Sequence, residues 1–467
     1  MSYVNGTINQ LNNLAWQLTN STTMKLYNII FALLTATAVL AQPTQPAPAL
    51  ALPDDLRALI QQANGYYPAL KQQQEQINAS DLQADIAQTA LKPTVTGNAS
   101  YQYLTPVAKA TLPVGGQDRV IQFQPNHNVN AYIGVGQTIY DWGRTRIAVD
   151  RARDNTQLLK RSLELTQHNL GYQVAAAYYG VGFVRKAISV QDSVIKTAAA
   201  NVRILGGRLQ NGDALEFDVI SQQVRLKTAA SSKIELQNQL ERQLAVLTFL
   251  TGNPNPEVGP GALAIGMPVS LYDLSTLTMS DAATTATNKD VLLAQDRVRQ
   301  AETEIQANEL NNKPNLSFNG SAGFRNGYLP NINDPRFNVA AGVSLSVPIY
   351  QGHRGALLTQ AARINASASK YGVTQANAQL RQSLALLNAD IRSNQSRLEN
   401  LDAQVLQARK ALQIATARLK NGVITNVELE SAEVGVEQVE LGRLNFQYQL
   451  TLNYLEMKRL LGEPVDK

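Results

Sequence analysis

The chain has 467 residues, 44% of them hydrophobic and none of them cysteine, and its 41 basic and 36 acidic residues leave a formal charge of +5. A mean hydropathy of −0.19 excludes a bundle of apolar membrane helices. The cations are scattered, without the clusters that a nucleic-acid backbone requires, and the absence of cysteine excludes disulfides, thiolate chemistry and cysteine-based zinc sites.

Residues 1–23 precede Met24 and read as an extension upstream of the native start. From Met24, "MKLYNIIFALLTATAVLA" has one cation, an apolar run from Leu26 to Leu40 and a small residue at Ala41. These are the parts of a secretory signal peptide at 24–41, so the chain is expected to be exported. Cleavage after Ala41 leaves Gln42 and no cysteine to carry a lipid, and the Pro-rich "QPTQPAPALALP" reads as an extended leader.

A helix is predicted from Pro68 to Leu91, ending at Lys92-Pro93 because proline disfavours helix in the residue before it. Strict alternation follows, which is the period of a strand. Val95, Gly97, Ala99, Tyr101 and Tyr103 interleave with small polar residues, then Val129, Ala131, Ile133 and Val135 do the same, predicting strands at about 93–104 and 127–140. A helical hairpin is predicted at 144–250, with a long helix from Arg144 to Leu209 and a return from Val219 to Leu250. "GNPNPEVGPGALAIGMPVS" then interrupts the chain with glycine and proline.

The pattern then recurs, with a helix from Asp290 to Leu310, strands at about 314–324 and 337–350 and a hairpin at 354–461. Its long helix, Arg354 to Leu419, is free of proline and carries a 3-4 seam through Leu384, Leu387, Ile391, Leu398, Leu401, Val405 and Leu412. Each long run would span about 100 Å as straight helix. The recurrence is visible in identities. "RLQNG" at 208–212 returns as "RLKNG" at 418–422, and Ser221, Val224, Leu250, Gly252 and Pro254 return as Ser431, Val434, Leu460, Gly462 and Pro464, all 210 positions later. "KPTVTGNAS" at 92–100 matches "KPNLSFNGS" at 313–321 at an offset of 221, so the first half holds an 11-residue insertion. Two units are expected, 42–281 with leader and linker and 282–467.

The four strands carry no charged residue on either face, and each is about as long as a tilted strand needs to be to cross a bilayer. Four strands cannot close a membrane barrel, and an open edge is not tolerated in lipid, whereas three chains would supply twelve. The rival arrangement is an exported structural coiled-coil or adaptor protein with no channel, its strands folded into a water-soluble sandwich.

The repeated pentapeptide falls at the tip of each hairpin. Gly212 and Gly422 stand where a helix must end, in the left-handed cap that glycine adopts without steric cost. Thr425 with Glu428 forms T-x-x-E, a capping box for the return helix, and Asp213 with Glu216 offers an acidic version in the first copy.

Together the helix ending in K-P, the paired strands, I-Y-x-x-x-R entering each long helix, R-L-x-N-G at each tip and the L-x-G-x-P close of each half resemble the TolC-like outer-membrane efflux proteins over nearly the whole mature chain. The resemblance implies an α+β membrane protein. Four transmembrane β-strands per chain would contribute to a homotrimeric 12-stranded β-barrel, continued by a long α-helical coiled-coil barrel. It implies an outer-membrane exit duct for a tripartite efflux or type I secretion system, docked through its tips to a periplasmic adaptor and inner-membrane pump. Arg208, Leu209, Asn211 and Gly212, with Arg418, Leu419, Asn421 and Gly422, match the family's docking motif. Acidic residues ring the family's periplasmic aperture. Glu428 occupies the first such position and Asp218 matches it in the first copy, but Ser431 replaces the next acid. No cofactor, metal or catalytic residue is expected, since nucleotide and metalloprotease motifs are absent and His127, His168 and His353 lie far apart in the sequence.

Overall fold

The computed structural model describes residues 53–265 and 286–463. The expected upstream extension, the signal peptide, most of the leader and residues 266–285 of the linker lie outside the described residues.

The chain enters through α1 (Asp54–Tyr66) and α2 (Pro68–Gln88), and a single 3-10 turn, Thr89–Leu91, completes the path to the Lys-Pro break. Helix α1 is an addition to the sequence reading. Its signal is Pro53 followed by two acids and then Leu56, Leu59, Ile60 and Ala63 at helical spacing, all four buried.

Four strands form one antiparallel sheet in the order β1 (Thr94–Tyr103), β4 (His127–Tyr140), β5 (Asn315–Arg325), β6 (Arg336–Ser346). The register keeps like faces together: Gly97 lies opposite Ile133, Ile133 opposite Ala322, and Ala322 opposite Val339. Strand β6 stops at Ser346, short of the expected 350, because Pro348 has no N–H for the ladder. Between β1 and β4 the connecting segment folds into a hairpin, β2 (Lys109–Val114) with β3 (Gln117–Gln122), turned by Gly115 and Gly116, both at positive φ. That Gly-Gly pair was its sequence signal.

A water-soluble sandwich would bury the apolar face of the main sheet. Instead Val95, Ile133, Phe337, Val339 and Val343 are all more than half exposed. Strands β1 and β6 also end the sheet with unpaired edges.

Each strand pair feeds a helical hairpin. Helices α3 (Arg144–Gln210) and α6 (Arg354–Lys420) are both 67 residues long, and their returns α4 (Glu216–Thr251) and α7 (Asn426–Leu461) are both 36. Among the described residues no helix is long and apolar enough to cross a membrane. Helix α5 (Lys289–Leu310) lies against both α3 and α6, while α7 also packs on α3. The linker after α4 is tied down by Asp55, whose carboxylate accepts the Gly259 N–H at 2.7 Å and the Tyr178 hydroxyl at 2.6 Å.

Candidate functional site at the hairpin tips

Both long helices end in a Schellman turn. At the first tip the Asp213 N–H reaches the Arg208 carbonyl at 2.8 Å and the Gly212 N–H reaches Leu209 at 3.0 Å. At the second, Val423 reaches Arg418 and Gly422 reaches Leu419, both at 3.0 Å. Gly212 and Gly422 have φ of 80° and 72°, the left-handed region that a side chain would strain.

The return helices start differently. Thr425 is the N-cap of α7: its N–H donates to Glu428 Oε2 at 2.8 Å, and the Glu428 N–H donates to Thr425 Oγ1 at 3.3 Å. Those bonds from the Thr425 backbone and side chain, with Arg418 nearby, hold the exposed Glu428 carboxyl below the usual carboxylate range. In the first tip the expected Asp213–Glu216 box does not form. Glu216 is already the first residue of α4, and the N-cap is Leu215, whose N–H donates to Asp218 Oδ2 at 3.3 Å. The positions that match Thr425 and Glu428 at the 210 offset are Leu215 and Asp218, and a leucine side chain offers no oxygen to the opening amides.

The tips are bound to each other. Arg208 reaches across with Nη1 on the Leu419 carbonyl at 2.9 Å, while its Nη2 holds the Asp213 carbonyl at 2.8 Å. Beneath it Leu205, Leu419 and Leu429 form a small apolar core flanked by Val219 and Ile424. Of the expected docking set Leu419 is 1% exposed and packs between the tips, whereas its match Leu209 is 36% exposed. Leu209, Asn211, Gly212, Arg418, Asn421 and Gly422 stand at the surface, and Arg208 is half-buried.

Sequence reasoning missed a polar layer just inside the tips. Glu433 on α7 is buried and accepts hydrogen bonds from Asn201 of α3 and, at 3.1 Å, from Gln222 of α4. One turn further, Glu437 pairs with Arg225 of α4. Burial pushes the Glu433 carboxyl up, partly offset by the bonds from Gln222 and Asn201 and by the Arg225 charge. A signal was present, since Glu433 follows Leu429 by four residues on the stripe that continues to Val436. Ser189, Ser193, Thr197, Arg409 and Glu440 join these acids around a cavity of about 440 Å³. Two long hairpins are thus joined at their ends by one arginine, a small apolar core and a buried carboxylate.

Solved structures with the same fold include CusC, described with transmembrane channel formation, the outer membrane protein VceC and the outer membrane channel MtrE. CusC aligns with a TM-score of 0.73 at 14% identity over 91% of this chain and 96% of its own. VceC from Vibrio cholerae gives 0.69 at 17% identity, covering 88% and 97%. The open state of MtrE from Neisseria gonorrhoeae gives 0.68 at 19%, covering 88% and 89%. These likenesses define the fold alone, a four-stranded region that leads into long helical hairpins. The profile of the outer membrane efflux protein family matches residues 59–253 and 283–463, and the chain belongs to that family. No curated protein sequence matches it significantly.

Proposed function

We propose that three copies of this chain form the outer-membrane exit duct of a tripartite efflux or type I secretion system. The four-stranded sheets combine into a 12-stranded barrel in the outer membrane, and the fused hairpin units line up as a helical tunnel through the periplasm. The observation that carries the reading is the sheet itself. It has two open edges and an exposed, uncharged apolar face, and it leads directly into 67-residue helices. Lipid satisfies that face and neighbouring copies satisfy the edges, as a spanning sheet requires.

The tips are the docking end for a periplasmic adaptor and its inner-membrane pump, through Leu209, Asn211 and Gly212 of one turn and Arg418, Asn421 and Gly422 of the other. Arg208 and Leu419 keep the two turns in a fixed relation. Glu428 serves both as the cap of α7 and as the charge at the periplasmic aperture, with Asp218 as its counterpart. Purified protein in planar bilayers tests this: cation-selective conductance that weakens in Glu428→Ala is expected, and recovery of the chain wholly in the soluble periplasm would sink the duct.

A further inference from the structure

Within the chain the two halves meet where α3 lies antiparallel to α5, and the contacts have a clear register. Arg144 donates Nε to the Leu310 carbonyl at 3.3 Å and Nη2 to those of Asn311 and Lys313 at 3.0 and 2.7 Å. Farther along, Arg151 pairs with Glu304 at 3.0 Å, Asp154 accepts the Thr303 hydroxyl at 2.5 Å, and Arg161 pairs with Asp296 at 3.2 Å.

Helix α6 matches α3 at the 210 offset, and both open alike, the Arg144 N–H on Asp141 at 3.2 Å and the Arg354 N–H on Gln351 at 3.1 Å. Helix α2 with its 3-10 turn matches α5 at the 221 offset. The closing turns agree there too, Lys92 N–H on Thr89 at 2.9 Å and Lys313 N–H on Leu310 at 3.0 Å. Carrying the seam across by these offsets sets Arg354 against the carbonyls of Thr89, Ala90 and Lys92. It turns Asp154–Thr303 into Ile364–Leu82 and Arg161–Asp296 into Tyr371–Glu75.

These groups do not meet inside one chain, because the strands that adjoin the two helices, β6 and β1, are opposite edges of the sheet. At the centre of this second seam Leu82 is 60% exposed and Ile364 62%, and at its end Arg354 makes no side-chain hydrogen bond or ion pair among the described residues. The same offsets carry the β4–β5 pairs Val135–Gly320 and Ile133–Ala322 onto Leu345–Ala99 and Val343–Tyr101, so the free edges follow the same flank.

We propose that α6 of one copy docks on α2 of the next in this register, with Ile364 against Leu82 of the neighbouring copy and Arg354 capping the end of that copy's α2. The inference rests on the trimeric reading and adds to it the partner face, the register and the chemistry. Two different faces meet, so the contact is head-to-tail and must close into a ring to leave no flank open. The seam inside the chain is ionic and hydroxyl-bonded, whereas the seam between copies is apolar at its centre. An apolar centre supplies the driving force that association of separate chains requires.

The chain has no cysteine, so introduced pairs report cleanly. Leu82→Cys with Ile364→Cys, oxidised in outer-membrane fractions, is expected to give a reducible ladder ending at trimer on denaturing gels, and neither single variant should. Leu82→Cys with Tyr371→Cys is out of register by seven residues, about 10 Å along a helix, and should give none. Asp154→Cys with Thr303→Cys should crosslink within the monomer. Trimer by native mass without the in-register ladder, as when another protein covers α2, overturns the register. Absence of any trimer overturns the duct reading as well. Should the first pair fail to accumulate, Glu75→Cys with Tyr371→Cys tests the same register.

Discussion

At the first tip an arginine reaches across to the other hairpin and an exposed leucine faces outward. At the second, the matching arginine is exposed and the matching leucine is buried. Both turns span the same length between helices of equal size and end on the same Schellman geometry. The difference therefore comes from what each tip packs against rather than from its local backbone. Duplicated sequence gives duplicated turns, but side by side the two copies occupy unlike surroundings, and one residue of each matched pair is diverted to holding the hairpins together. Caps differ for a separate reason: Thr425 supplies the oxygen that Leu215 lacks.

The comparison can be broken most strongly at the leucines. Leu419→Ala empties part of the tip core and is expected to cost about 2–5 kcal/mol, against well under 1 kcal/mol for Leu209→Ala. Hydrogen exchange at residues 205–220 and 415–430 would rank the two. Next come the arginines. Arg208→Ala removes charged hydrogen bonds to two carbonyls and should cost about 1.5–3 kcal/mol of local protection, whereas Arg418→Ala should leave it nearly unchanged. Smaller effects are expected at the caps: Thr425→Ala should lose about 1 kcal/mol, and Leu215→Thr, by completing the box with Asp218, should gain a comparable or smaller amount.

Two acids at the second tip respond to pH with opposite signs. The lowered Glu428 favours its charged form in the fold, so its contribution is present above the ordinary glutamate range and fades as pH falls through the depressed value. The raised Glu433 favours its neutral form, so its contribution is full below the ordinary range and fades as pH rises through the raised value. Exchange measured upward from about pH 4 should show protection declining in the native chain and a flatter profile in Glu433→Gln. Persistence of the full decline in that variant would assign it to another group.

Much of the fold was legible because it rests on period. The 3-4 seam of α6, the alternation of β1, β4, β5 and β6, and glycine at the end of each long helix are local properties of the chain. The β2–β3 hairpin and α1 had local signals as well, in Gly115-Gly116 and in the spacing of Leu56, Leu59, Ile60 and Ala63. The Asp213–Glu216 cap was misplaced because two acids near a turn look alike on paper, and only the helix start selects Leu215 and Asp218.

By itself, then, the sequence determined most of the elements and the glycine turns that end the long helices, since each follows from propensity, periodicity and the φ that glycine permits. The tertiary structure alone decided that Arg208 bridges the tips, that Leu419 is core while Leu209 is surface, and that Glu433 is buried among amides from two other helices. Those outcomes depend on which helix lies across from which. Burial and hydrogen bonding are set there by residues more than two hundred positions away, which no local window contains.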